Sequence, residues 1–256
     1  RRRYAPLQNS TRTINVAKCE TFSNGELSGM LQFASELLLE ECMGVRELIA
    51  YKRFDGLKSL DIRACRCDFK PAEEGSGQFD DPLPNLEFLW LTEVDNLKSV
   101  SDFSQHLGLR FSKLRHLNIF YCHSLTCLFT VGGAFSVPKL LEDIEIYNCE
   151  KLVELFVECS SSSVNSEIPR IRKLALHYLS RLARLEEPHK SMWEHLKELH
   201  VYNCYGIRKL PLSIQTSNNI KVIRGGSEWW SQLEWDDDNF KSNLQHCFQR
   251  ITELGD

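Results

Sequence analysis

The chain has 256 residues, of which 42% are hydrophobic and 26% charged, and its formal net charge is −4. These are the proportions of a soluble globular protein, and neither they nor the short Arg1–Arg3 opening marks a nucleic-acid or membrane-surface binder. No apolar run approaches the roughly 18 residues of a membrane span, and ten cysteines at this length are too few for a disulfide scaffold. The chain opens with neither Met nor a signal peptide, so it is expected to be a fragment or a processed product. Its single Asn-x-Ser/Thr sequon, at Asn9, is no more than chance gives, and a reduced intracellular chain is expected.

Taken in chain order, one pattern recurs. "TRTINVAKC" supplies Ile14, Val16 and Cys19; "ASELLLEECMGVREL" supplies Leu37, Leu39, Cys42, Val45 and Leu48; "LKSLDIRAC" supplies Leu57, Leu60, Ile62 and Cys65. Five fuller copies follow: "LEFLWLTEVDNLKSV" from Leu86, "LRHLNIFYCHSLTCL" from Leu114, "LEDIEIYNCEKLVEL" from Leu141, "IRKLALHYLSRLARL" from Ile171 and "LKELHVYNCYGIRKL" from Leu196. All fit L-x-x-L-x-L-x-x-C-x-x-L-x-x-L with conservative exchanges. A last weak copy, "NIKVIRGG", contributes Ile220 and Val222. The second strand residues are then Val16, Leu39, Ile62, Leu91, Ile119, Ile146, Leu176, Val201 and Val222, separated by 23, 23, 29, 28, 27, 30, 25 and 21 residues. Most of these spacings fall in or near the window of leucine-rich repeats.

L-x-L puts two apolar residues on one side of a short strand. The steps of three that follow suit a turn or loose 3₁₀ segment facing the same interior. One coil cannot bury its apolar side alone, whereas a stack of coils forms a continuous core with a parallel sheet along one side. Amphipathic helices are the rival reading, but L-x-L breaks helical phase. Loops with Gly, Pro and Ser also interrupt the chain, at "KPAEEGSGQFDDPLPN", "TVGGAFSVP" and "ECSSSSVNSEIP", and Pro84, Pro138 and Pro169 stand just before three copies. The expected fold is therefore an α/β-type solenoid: a leucine-rich-repeat horseshoe of about nine irregular repeats over 1–224, with its parallel sheet on the concave face. Residues 225–256 are expected to form a Trp-rich helical cap over the open end of the core. There "DDDNFKSNLQHCFQRI" places Phe240, Leu244, Cys247, Phe248 and Ile251 on one helical face after an Asp-rich start.

Six of the ten cysteines occupy one repeat position (Cys19, Cys42, Cys65, Cys122, Cys149 and Cys204), which Val94 and Leu179 fill in two other copies. A position that takes Cys, Val or Leu asks for a modest apolar volume, and the thiol adds a weak donor able to reach a turn carbonyl. His116, Cys122, His123 and Cys127 lie close in sequence, but Cys122 should face inward and His116 outward, so no metal site is expected. The C-x-C of Cys65 and Cys67 reads the same way. Neither G-x-S-x-G nor H-E-x-x-H occurs, Ser160–Ser163 read as loop, and the histidines are scattered, so no enzyme is expected. G-x-x-x-x-G-K-[ST] is also absent from the chain, so no nucleotide site and no cofactor are expected in it.

What remains is a surface. The outward strand positions around each L-x-L read Ser59, Asp61, Arg63; Phe88, Trp90, Thr92; His116, Asn118, Phe120; Asp143, Glu145, Tyr147; Lys173, Ala175, His177; and Glu198, His200, Tyr202. Phe120, Tyr147, His177 and Tyr202 form one column, with Trp90 beside it. Aromatic residues are enriched where proteins bind one another, and they also shield each other across strands. Trp90, Phe120, Tyr147, His177 and Tyr202, with Phe88, Arg63, His116, Glu145 and His200, are the candidate partner-binding residues.

The copies, together with the terminal "GGSEWWSQLEWDDDNFKSNLQHCF", resemble the irregular leucine-rich repeats of plant intracellular immune receptors that join a nucleotide-binding domain to a repeat domain, in particular their coiled-coil subclass. The resemblance runs from about Ile14 onward. It implies a recognition and autoinhibitory surface that senses a pathogen effector or an effector-modified host protein, and that also docks the receptor's own nucleotide-binding domain. It further implies ADP or ATP only on that other domain, and a cytoplasmic site of action with any membrane association through N-terminal parts. The Gly-x-Ile-Pro signature of extracellular plant repeat receptors is missing from the returns. The alternative is the substrate-recruiting repeat domain of a ubiquitin ligase, although no F-box-like helical segment precedes the repeats here.

Overall fold

In the computed structural model the L-x-L pair of each of the first eight copies becomes the inward side of a strand. The structure describes residues 12–20, 22, 28–49, 53–66, 81–131, 137–158, 169–185 and 192–251. Asn9, Cys67 and Ser160–Ser163 lie outside them, as do most residues of the "KPAEEGSGQF", "GGAFS" and "SSSSVNSEI" loops. The described residues form β1 (Thr13–Ala17), β2 (Glu36–Glu40), β3 (Ser59–Arg63), β4 (Phe88–Thr92), β5 (His116–Phe120), β6 (Phe129–Val131), β7 (Asp143–Tyr147), β8 (Phe156–Glu158), β9 (Lys173–His177), β10 (Glu198–Tyr202), β11 (Val222–Gly225) and β12 (Phe248–Arg250). Ten of them make one all-parallel sheet in the order β1-β2-β3-β4-β5-β7-β9-β10-β11-β12. The fold is the expected repeat solenoid.

Register is strict. Val16 lies opposite Leu39, Leu39 opposite Ile62, and so on through Leu91, Ile119, Ile146, Leu176 and Val201. A slip of one residue would turn every apolar side chain to solvent, so the buried face fixes the pairing. From Leu37 to Ile223 the inward strand residues are 0–3% exposed. Ile14 and Val16 are only partly buried because β1 is the edge strand.

The ninth copy differs from the sequence expectation. Leu199 pairs with Ile223 and Val201 with Gly225, so the inward residues of β11 are Ile223 and Gly225, while Val222 faces outward. A β-carbon on Gly225 would stand 2.5 Å from Cε3 of Trp229, so the indole fills the volume that a side chain fills elsewhere. The L-x-L signal is lost there because the apolar bulk comes from four residues downstream.

The returns carry more order than irregular loops. After β4 the chain forms a helix, Val100–Leu107, that buries Phe103 and Leu107. Ser99 caps its start by accepting a bond from Asp102 N at 2.9 Å, and Gly108 ends it at φ 71°, a left-handed stop that a side chain would strain. After β5 and β7 the returns pair instead as β6 and β8, with Phe129 and Phe156 stacked 6.4 Å apart.

At the C-terminal end two helices, Ser227–Gln232 and Asp238–Gln245, lead into β12, which pairs with β11. The second helix stops at Gln245. Phe248 therefore lies on a strand and Ile251 beyond it, and neither sits on the helical face that the spacing gave them. Trp229, Trp230, Leu233, Leu244 and Cys247 are buried over the last coils. Trp229 Nε1 donates to Ile207 O at 2.9 Å, and Trp230 stacks on Phe248 at 4.4 Å.

Candidate functional site

Each of the first eight strands of the ten-stranded sheet is followed by a residue in the left-handed region. Lys18, Glu41, Ala64, Glu93, Tyr121, Asn148, Tyr178 and Asn203 have φ between 48° and 57°. The amide of this residue still donates to the next coil, as in Tyr121 N to Tyr147 O and Tyr178 N to Tyr202 O, both at 2.9 Å. The sheet ladder thus gains a rung while the chain turns inward. The turn presents the left-handed side chain to solvent and sends the next residue, the repeat cysteine, into the core. A non-glycine residue there costs on the order of 1 kcal/mol, repeated coil after coil.

The thiols complete the turn. Cys204 Sγ donates to Tyr202 O and Leu176 O, each at 3.4 Å; Cys65 Sγ donates to Arg63 O at 3.3 Å and accepts from Cys42 N at 3.2 Å. Burial pushes these thiols up, Cys65 to about 11 and Cys122, Cys149 and Cys204 to about 12. They are protonated packing units that satisfy carbonyls. Each cysteine among the described residues is a free thiol.

Outside, the rings form two groups. At the C-terminal ends of the strands Phe120, Tyr147, His177 and Tyr202 run in register, with neighbouring centroids 6.0–6.4 Å apart. Tyr121 and Tyr178, from the left-handed positions, interleave with them. Tyr121 lies 5.3 Å and Tyr178 5.1 Å from Tyr147, and Tyr178 lies 5.3 Å from Tyr202. The result is a ladder of six rings. Tyr121 and Tyr178 are 38% and 39% exposed, whereas Phe120 is 8% exposed and forms the floor of the ladder rather than its surface. Tyr205 is 60% exposed, and its hydroxyl donates to Asn203 Oδ1 at 2.9 Å.

Trp90 does not join this ladder. It stacks on Phe88 at 5.6 Å, and Phe88 stacks on His116 at 4.5 Å, near the other ends of the strands. His116 is also held by Asp143, with Nδ1 2.9 Å from Oδ2. Arg63 is committed to Asp61 on its own strand at 2.5 Å. Glu145 has no ion pair among the described residues and lies on the strand that carries Tyr147.

His200, placed outward by sequence, is 9% exposed, because the neighbouring side chains on this face close over it. Its Nε2 has no hydrogen-bond partner, and Glu198 Oε2 stands 3.7 Å away. Burial first, then Lys173, Arg224 and His177, depress His200 to about 4, outweighing the Glu198 carboxylate, so the ring is neutral.

The four residues weighed for zinc are separated. Cys122 is inward, His116 is held by Asp143, and His123 lies 3.9 Å from Glu150. Among the described residues no group of three or more His, Cys, Asp or Glu could hold a metal ion, and no helix is long and apolar enough to cross a membrane.

Hydrophobic patterning does not mark the left-handed column. Asn148 and Asn203 signal it, since asparagine tolerates this conformation. The position they mark is where Tyr121 and Tyr178 stand.

Comparison with known proteins gives a consistent picture. Residues 6–150 match the family model described as plant disease resistance protein RPS2-like, leucine-rich repeats. Disease resistance protein At4g27190 of Arabidopsis thaliana is 30% identical over 245 residues, which is 91% of this chain and 24% of that protein. Probable disease resistance protein At4g27220 of Arabidopsis thaliana is 30% identical over 201 residues, 74% of this chain and 21% of that protein. The chain thus spans about a quarter of the length of the curated relatives it matches.

Proposed function

The chain belongs to the leucine-rich-repeat family of plant disease resistance proteins, and on that premise we propose that the aromatic face of its sheet docks a protein during immune signalling. The docked protein is a pathogen effector or an effector-modified host protein. In the resting receptor the same face and its flanking loops hold the parent's own nucleotide-binding domain, so the repeats both sense and restrain. The nucleotide, ADP or ATP, belongs to that domain and not to this chain. The protein acts in the cytoplasm, with any membrane association through parts N-terminal to these residues.

One observation carries the reading: four rings stand in register at the strand ends, Tyr121 and Tyr178 interleave with them from the following turns, and the hydroxyl-bearing ones are partly open to solvent. Tyrosine supplies large, rigid contact area at low entropic cost. Mutual shielding explains Phe120, but not Tyr121 and Tyr178, which are held outward at a backbone cost. The test combines Trp90→Ala, Tyr147→Ala and Tyr202→Ala in a variant that retains its thermal transition. Its binding to the parent's nucleotide-binding domain and to candidate effectors is measured by calorimetry. A loss of roughly a hundredfold is expected for such anchors, and unchanged affinity for every partner that binds the unmodified chain would sink the proposal.

A further inference from the structure

Along the row of residues just before the strands, charge alternates and then stops alternating. Lys58 pairs with Glu87 at 3.2 Å, and Glu142 is held by Arg115 on one side and by Arg172, at 3.5 Å, on the other. The next two rungs carry Lys197 and Lys221. Lys197 N donates to Arg172 O and Lys221 N to Lys197 O, each at 2.8 Å, so the three cations sit on adjacent coils. Lys173, one residue further on in β9, and Arg224, in the middle column of β11, add two more positive charges. Lys173, Lys197 and Lys221 have no ion pair among the described residues, and Arg224 donates only to the neutral Gln249 at 3.1 Å.

Beneath this corner lies His200, nine-tenths buried with an unpartnered Nε2. The charged and titratable groups that face it are Lys173 and His177 of β9, Glu198 of its own strand and Arg224 of β11. A buried polar atom without a partner, close to Lys173 and Arg224, which have no ion pair among the described residues, is a site that a ligand from outside can complete.

We propose that Lys173, Lys197, Lys221 and Arg224, above His200, dock a short acidic segment of a protein partner, its aspartate or glutamate side chains lying across β9, β10 and β11. Three rungs at the strand spacing span about 10 Å, which three or four extended residues cover. The surroundings favour a short peptide over a long polyanion. Glu142, Glu194 and Glu198 border the cluster, and the chain as a whole carries a net charge of −4, so a nucleic acid would run onto carboxylates. The corner lies at the opposite end of the strands from the ring ladder, and this inference does not depend on it. A bound carboxylate offsets Lys173 and Arg224, which lets His200 take a proton and close on Glu198. Binding therefore strengthens as pH falls towards the ordinary histidine range.

The test uses the 256-residue chain and a fluorescein-labelled oligo-aspartate of about ten residues at low salt, where such contacts are least screened. We expect saturable binding that weakens at least tenfold in the Lys197→Glu/Lys221→Glu variant, whose exposed side chains leave the fold intact. Binding should also be tighter at about pH 5.5 than at about pH 7.5, with the difference abolished in His200→Gln. Equal affinity in the reversed-charge variant overturns the proposal. So does tighter binding of an oligonucleotide of equal charge or of phosphatidylserine vesicles, and a pH dependence that survives His200→Gln removes His200 from it.

Discussion

The indole of Trp229 lies against the α-carbon of Gly225 so closely that a β-carbon there would stand 2.5 Å from Cε3 and 2.7 Å from Cζ3. The residue that looks like a defect in the ninth coil is a socket. Gly225→Val, which restores the repeat pattern, is expected to destabilise the chain by about 1–3 kcal/mol through overpacking. Trp229→Ala should cost about 3–5 kcal/mol through the cavity it leaves. The double variant should be more stable than the sum of the two losses, a non-additivity that denaturant titration resolves.

Ala64 sits in the left-handed column at φ 48° with an exposed methyl group. Ala64→Gly removes a strain of roughly 1–2 kcal/mol against an entropic loss of about 0.5–1 kcal/mol. A net gain near 0.5–1 kcal/mol is expected, with Ala64→Val shifting the midpoint in the opposite direction.

Cys122, Cys149 and Cys204 titrate at about 12 in the fold, above the ordinary thiol value of 9.0, because burial disfavours the thiolate. Their stabilising contribution is complete below about pH 9, where unfolded thiols are still protonated, and is lost as pH climbs towards 12. Iodoacetamide should therefore modify the partly buried Cys19 well before these three, as peptide mass spectrometry would show. Cys149→Val should cost less than about 1.5 kcal/mol, since Val94 already fills the same position in another coil.

For His200 the sign reverses. Its folded value, about 4, lies below the ordinary 6.5, so in the absence of partner the unfolded chain takes up the proton first. Stability should fall as pH drops from about 6.5 towards 4, and His200→Gln should flatten that part of the profile. In an NMR titration the His200 ring signals should stay fixed above about pH 5.

Most of the fold was legible because the solenoid core is a one-dimensional signal. Ile144, Ile146, Cys149, Leu152 and Leu155 each point to one interior, and so do their equivalents, so aligned copies reinforce one another. Legibility failed where volume comes from elsewhere in the sequence. Gly225 borrows its bulk from Trp229, which displaced the ninth strand by a residue. Phe248 joined a helical pattern because periodicity cannot see the hydrogen bonds that β11 offers. On the outer face sequence gave the columns but not their depth. Phe120 and His200 sit outward by position yet buried by their neighbours, and Tyr121 and Tyr178 belong to a turn whose handedness no hydrophobic pattern records.

The fixed rung and the variable return have a consequence for how such a molecule changes. Coil spacing varies between 23 and 30 residues from β1 to β10, while the inward residues never leave register. An insertion in a return therefore reshapes one edge without displacing a single ring on the sheet face, and a substitution on the face leaves the edges untouched. The two surfaces are mechanically independent ledges on a common spine, so each can be remodelled for a new contact while the other keeps an old one.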